Sequence, residues 1–191
     1  FALPNLKHWL KEKFLNTLFF EHTYLISDDY VESILHKYRF RILERRDFGN
    51  GHSLFYAAEK MHDSMTAEPD YGRFYADNKR DFLDFIAYFK DKVAQYNESM
   101  KACDHVYLFG AHIFSQMLIH FGLRTDKVRC ILDNDPLKQG KRLYGTSFRV
   151  KSPEILTNED KPIIVLNAGA YSGEIKDDIV KRINSKTTFL E

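Results

Sequence analysis

The sequence predicts an α/β protein, with a Rossmann-like module and parallel sheet over residues 101–191, preceded by helices and an antiparallel strand pair. Three observations carry this. Short apolar runs at Val106–Phe109, Val128–Leu132 and Pro162–Leu166 have the length of buried strands. Segments with apolar side chains at helical spacing separate them, and strands alternating with helices build parallel sheets. Upstream, Phe40–Glu44 and Ser53–Ala58 flank Gly49-Asn50-Gly51, the composition of a hairpin turn.

In order, residues 1–15 pattern as an amphipathic helix after Pro4, with Leu6, Trp9, Leu10 and Phe14 on one side and Lys7, Lys11 and Lys13 toward water. Thr17–Phe20 is strand-like and runs into Glu21-His22. Ser27 or Asp28 caps a helix through Tyr30, Ile34 and Leu35. Residues 60–77 are polar, hold a proline and a glycine, show no clean period, and read as a connector. Asn78–Met100 reads as one long helix, because Phe82, Phe85, Ile86, Phe89, Val93 and Tyr96 recur at three- and four-residue steps. After the first strand–helix–strand unit come a short strand at Phe148–Val150 and a helical turn opened by Pro153-Glu154. A helix over Ser172–Ile183 and a last strand at Thr187–Leu190 complete the module.

The totals narrow the partners. Lys and Arg number 28 against 27 Asp and Glu, so no net field points to nucleic acid or an anionic membrane. The two cysteines, Cys103 and Cys130, lack metal-site spacing, which predicts reduced thiols, no metal and a cytoplasmic protein. No apolar run approaches the ~20 residues that span a bilayer.

Ligands of parallel sheets settle beyond the carboxyl ends of the strands, where Gly110-Ala111 and Asp133 both fall. The dinucleotide fingerprint G-x-G-x-x-G is incomplete, since His112 and Ser115 occupy its second and third glycine positions. Asp133 can accept hydrogen bonds from ribose hydroxyls and Lys138 can balance a phosphate; a solvated Asp/Asn/Pro turn explains the same residues without a ligand. For proton transfer the sharpest candidate is Glu21-His22, because an imidazole titrates near neutral pH and a neighbouring carboxylate raises its basicity. Neighbours on a strand point to opposite faces, so the two need not touch. His52-Ser53 forms either a loop over a site or a plain hairpin-mouth turn; Ser53 has no triad pattern around it.

Two segments resemble the SAM-dependent C-methyltransferases that act on nucleotide-linked deoxysugars. Residues 15–60 are similar to the end of the class I methyltransferase domain. Phe19-Phe20-Glu21-His22-Thr23-Tyr24 stands where that family has Y-H-E-H-x-x-Y, and Asn50-Gly51-His52-Ser53-Leu54-Phe55 where it has H-G-G-S-L-R. Residues 105–183 resemble the family's C-terminal Rossmann-like domain through Gly110-Ala111, Asp133, Pro136, Lys138, Gly140, Gly145-Thr146, Pro153 and Leu156. Phe19 replaces a family tyrosine, and Phe114-Ser115 a Lys-Gly.

The resemblance implies residues 1–60 as the tail of a methyltransferase domain with the catalytic-type residues His22, Glu21 and Tyr24. Residues 61–100 would be a connector and bridging helix, and 101–191 the substrate-binding domain. His22 would remove a proton beside a sugar ketone with Glu21 supporting it, and the enolate would take the methyl of S-adenosylmethionine. Gly110, Ala111, Asp133, Lys138, His52 and Ser53 would contact a nucleotide-sugar substrate. The family's glycine-rich cofactor loop has no counterpart in residues 1–15. The chain is therefore expected to be the C-terminal portion of a methyltransferase, inactive by itself, with S-adenosylmethionine bound mainly by residues upstream. Two other readings stand beside this: a non-catalytic nucleotide- or dinucleotide-binding module, and a homodimer formed through residues 1–60.

Overall fold

The computed structural model describes residues 1–19, 24–62, 71–168 and 171–191. The chain divides into two compact units, Phe1–Tyr88 and Phe89–Glu191.

The first unit is built on a three-stranded antiparallel sheet of β1 (Ala2–Pro4), β3 (Ser53–Lys60) and β2 (Phe40–Phe48), in the order β1-β3-β2. The hairpin joining β2 to β3 turns at Gly49, Asn50 and Gly51, all with positive φ, which is the conformation its sequence advertised. One face carries Leu54 and Tyr56, each 1% exposed, packed with Val31, Leu3, Ile26, Leu35 and Ile42. Removing such side chains from water stabilises the unit by ~1.5–3 kcal/mol apiece. Val31 and Leu35 come from α2 (Asp28–Lys37), whose first turn holds Asp28 and Asp29. Lys7 reaches both carboxylates, at 2.7 and 2.5 Å, and Arg45 meets Asp28 at 2.8 Å. Beneath them the Tyr56 hydroxyl donates to Glu32 (3.1 Å), and burial pushes the phenol up to about 12.

The N-terminal segment departs from expectation. The helix expected over residues 1–15 is α1 (Leu6–Lys11) alone, because Ala2–Pro4 joins the sheet and Lys13 turns into the left-handed region at φ +59°. The strand expected at Thr17–Phe20 is instead a 3-10 turn over Leu15–Leu18, since the Thr17 hydroxyl bonds back to the Phe14 carbonyl at 2.8 Å; Phe20 lies outside the described residues. The connector expected to reach residue 77 gives way at Tyr71 to α3 (Tyr71–Ser99). Its first turns lack an apolar period but are held by Arg73–Asp77 and Asp77–Arg80 ion pairs and by Phe74 against Tyr30. The division between the units falls inside this helix.

The second unit is a five-stranded, wholly parallel sheet: β4 (Val106–Phe109), β5 (Val128–Leu132), β6 (Val150–Lys151), β7 (Ile163–Val165) and β8 (Thr188–Leu190), in the order β6-β5-β4-β7-β8. The chain thus steps outward from β4 to β6, returns to the other side of β4, and steps outward again. That reversal between β4 and β7 makes a topological switch point. β4 and β5 lie where the sequence placed them; the strand expected at Phe148–Val150 is centred slightly later, and Arg149 makes only an isolated bridge to Arg142.

Period two sorts the strand residues. Tyr107, Phe109, Cys130, Leu132, Ile164 and Leu166 form one core with Leu156 and Ile179, while Val106, Leu108, Ile131 and Val165 are buried on the opposite face. Runs buried on both faces have no polar alternation, which is why they read as continuous apolar stretches. α4 (Ile113–His120) joins β4 to β5. The helix expected over Ser172–Ile183 is α5 (Ser172–Asp178) continued by a π-helical turn, Ile179–Ile183. That turn delivers Asn184, which donates to the carbonyls of Leu156 and Glu159 at 2.7 and 2.8 Å. No helix among the described residues is long and apolar enough to cross a membrane.

Candidate functional site

The carboxyl edge of the parallel sheet is where the second unit gathers its polar groups. Gly110 closes β4 at φ +103°, a conformation an L side chain resists, and its N–H donates to the Leu132 carbonyl at 2.7 Å. The chain can then turn so that the Ala111 N–H points at Asp133, donating to Oδ2 at 2.7 Å. Asp133 follows β5 and is only 7% exposed. Its Oδ1 accepts the Asp135 N–H at 2.9 Å, its Oδ2 also receives the Lys138 ammonium at 3.0 Å, and Gln139 donates to its main-chain oxygen at 3.0 Å. One carboxylate therefore fastens the loops after β4 and β5 to each other. Burial alone would raise its pKa; the N–H groups of Asp135 and Ala111 and the Lys138 charge outweigh that and hold the carboxyl below its ordinary value. The Lys138 side chain remains 40% exposed, so a fixed cation faces solvent on this edge.

The two positions where the fingerprint lost its glycines have clear local tasks. His112 is the N-cap of α4, its Nδ1 accepting the Phe114 N–H at 3.2 Å, which places the neutral ring's proton on Nε2. The ring lies so close over Gly110 that a Cβ built there would stand 2.3 Å from Nε2. Burial of the ring nitrogens, then the Lys138 charge, lower the His112 pKa, with Asp133 opposing; the residue is still exposed, so solvent moderates the effect. Ser115, fully buried, donates its hydroxyl to the Gly110 carbonyl at 2.6 Å. Across the switch point the Ala168 N–H donates to Ser172 Oγ at 2.9 Å.

Gly110, Ala111, Asp133 and Lys138 thus come together as expected from their places in the chain. Sequence reasoning passed over His112 as a mere substitution, although a residue able to accept a hydrogen bond just before a helical period is itself a capping signal. The remaining candidates belong to the first unit. His52 ends the hairpin: its carbonyl accepts from the Trp9 indole at 2.8 Å and from the Asn5 N–H at 3.0 Å, and its Nδ1 sits 3.0 Å from Ser53 Oγ. Its ring packs on Trp9 at 4.8 Å, so the residue anchors α1 to the hairpin. Tyr24 is 86% exposed. Glu21 and His22 lie outside the described residues.

Chemically, the carboxyl edge offers donors and a fixed positive charge rather than an activated nucleophile. The buried Cys130 thiol is pushed up to about 11 by desolvation, which keeps it unreactive. No group of three His, Cys, Asp or Glu that could hold a metal occurs among the described residues.

No curated protein matches the chain. A family model does, and its span, residues 50–190, takes in β3, α3 and the entire parallel sheet with its carboxyl edge. With well over half its length inside that match and the parallel α/β architecture to go with it, the chain belongs to the family of C-methyltransferase C-terminal domains, and this membership supports a methyltransferase role.

Proposed function

We propose that the chain is the C-terminal portion of an S-adenosylmethionine-dependent methyltransferase that methylates a carbon of a nucleotide-linked keto-deoxysugar. Family membership supports the methyltransferase part. For the substrate, the supporting observation is the Lys138 ammonium, fixed by Asp133 and open to solvent on the carboxyl edge beside the switch point. A diphosphate-bearing ligand gains there from a positioned cation and from the Gln139 and Ala111 loops around it.

In this reading His22 takes the proton from the carbon beside the ketone, and Glu21 and Tyr24 complete its motif. An enolate is left as the nucleophile, and the negative charge on its oxygen calls for a hydrogen-bond donor. Dimerisation through residues 1–60 would be a separate property of the first unit.

The described residues do not fit S-adenosylmethionine at the first turn. The His112 ring covers Gly110, and both Asp133 oxygens already accept hydrogen bonds within the loop. We therefore assign the methyl donor to residues other than these. The same two features oppose the alternative reading, a dinucleotide-binding module, which the strand order alone would favour.

Calorimetric titration of the chain tests this. A nucleoside-diphosphate sugar is expected to bind weakly, with the heat lost in Lys138→Ala while the circular dichroism spectrum is unchanged; S-adenosylmethionine is expected to give no heat. Tight S-adenosylmethionine binding would overturn the assignment, and NAD bound in preference to the sugar nucleotide would replace it with the binding-module reading.

A further inference from the structure

The segment from Asn134 to Lys151 holds Lys138, Lys141, Arg142, Arg149 and Lys151 against Asp135 alone, in a chain whose total charge is +1. Lys138 pairs with Asp133, whereas none of the other four forms an ion pair among the described residues.

These cations stand on a well-fastened hairpin. Gly140 N–H donates to Val150 O and Val150 N–H to Lys141 O, both at 2.8 Å, and Leu143 N–H donates to Phe148 O at 2.9 Å. The tip is closed by the Thr146 hydroxyl, which donates to Leu143 O and accepts the Phe148 N–H. Leu143 and Val150, 3% and 2% exposed, root the hairpin in the unit. Within it Arg142 and Arg149 are antiparallel bridge partners. Directly opposed residues project from the same face with Cβ atoms about 5 Å apart, and like charges so placed repel. Arg149 offsets a little of this by donating Nη1 to Gly140 O at 3.0 Å. Both residues remain exposed, and no carboxylate among the described residues pairs with them. Arg142 also lines a depression of ≈ 660 Å³ with Leu143, Tyr144, Gly145, Thr146 and Ser147. Tyr144 there is 85% exposed, a large planar ring on a rigid turn without a packing role.

Guanidinium groups carried by directly opposed residues can converge on one anion bonded by two planar forks, for which phosphate is the best shape match. An aromatic ring beside it suits a planar ring carried by that phosphate. We propose that Arg142 and Arg149 clamp a phosphate group while Tyr144 stacks on the base attached to it, so that the hairpin is a binding site for a nucleoside phosphate. The site is distinct from the Asp133–Lys138 edge and does not depend on the reading of that edge.

Titration calorimetry on the full chain at low ionic strength, with AMP and with inorganic phosphate as separate ligands, decides the matter. Both are expected to bind the unaltered chain, AMP more tightly. In Arg142→Ala/Arg149→Ala both weaken by about tenfold or more. Tyr144→Ala weakens AMP and leaves inorganic phosphate unchanged, and the double alanine change causes the same loss in a Lys138→Ala background, which separates this site from the edge. The substituted side chains are exposed, so matching melting temperatures without ligand verify folding, and AMP raises the melting temperature of the unaltered chain but not that of the double alanine variant. Unchanged affinity in the double alanine variant, full affinity in Arg142→Lys/Arg149→Lys, or no heat with either ligand at millimolar concentration would each overturn the clamp.

Discussion

Replacing Asp133 by alanine tests whether this carboxylate is the fastening of the sheet's carboxyl edge. The change removes the acceptor of the Ala111 N–H (2.7 Å), the Asp135 N–H (2.9 Å) and the Lys138 ammonium (3.0 Å) at a position 7% exposed. Hydrogen bonds to a charged group contribute ~1.5–3 kcal/mol each, so two main-chain donors give ~3–6 kcal/mol before water enters the loop. Lys138, being partly solvated, adds ~1 kcal/mol at most. A loss of ~3–4 kcal/mol is the expected net, and Asp133→Asn, which keeps an acceptor but loses the charge, should cost ~2 kcal/mol.

The pH dependence supplies an independent check. The folded carboxyl titrates below its ordinary value, so the stability it contributes is fully present above the unfolded value of about 4 and is lost as pH falls through the folded one. The gap between the unaltered chain and Asp133→Ala should be full near neutrality and shrink in acid. Urea unfolding followed by circular dichroism at several pH values reads this directly. A gap under ~1 kcal/mol near neutrality, or one that stays constant down to about pH 2, would refute the role given to the residue.

Three further outcomes follow from local geometry. Gly110→Ala should destabilise the chain by ~2–4 kcal/mol, because φ +103° is unfavourable for alanine and the new methyl would displace the His112 ring from its cap; a urea midpoint equal to that of the unaltered chain would contradict this. Arg39, just past α2 at φ +61°, should gain ~0.5–1 kcal/mol on replacement by glycine, read from the same unfolding curves. In a thiol-reagent assay under native conditions Cys130, buried with its pKa near 11, should stay unlabelled while Cys103 reacts; both should label in denaturant.

Much of the second unit was legible beforehand because strands buried on both faces announce themselves. Val106–Phe109 is buried throughout and Val128–Leu132 is broken only by the exposed Arg129, and Gly110 and Asp133 stand at their ends for reasons of turn chemistry. The first unit was harder to read. Thr17–Phe20 looks like a strand by composition, but a Thr17 hydroxyl that bonds three residues back commits Leu15–Leu18 to a turn. The start of α3 has no apolar period, and ion pairs together with the contacts of Tyr71 and Phe74 on Tyr30 carry it instead.

Period, length and backbone conformation encode the elements of the parallel sheet, the turn glycines, and which residues meet at the carboxyl edge. How those residues are used is set by the approach of segments far apart in the chain. The Asp133 carboxylate is consumed by its own loops, His112 seals Gly110, and Arg142 faces Arg149 across a hairpin. Hydrogen-bond partners and facing charges are set by register and by the approach of distant segments, and no periodicity along the chain encodes that distance.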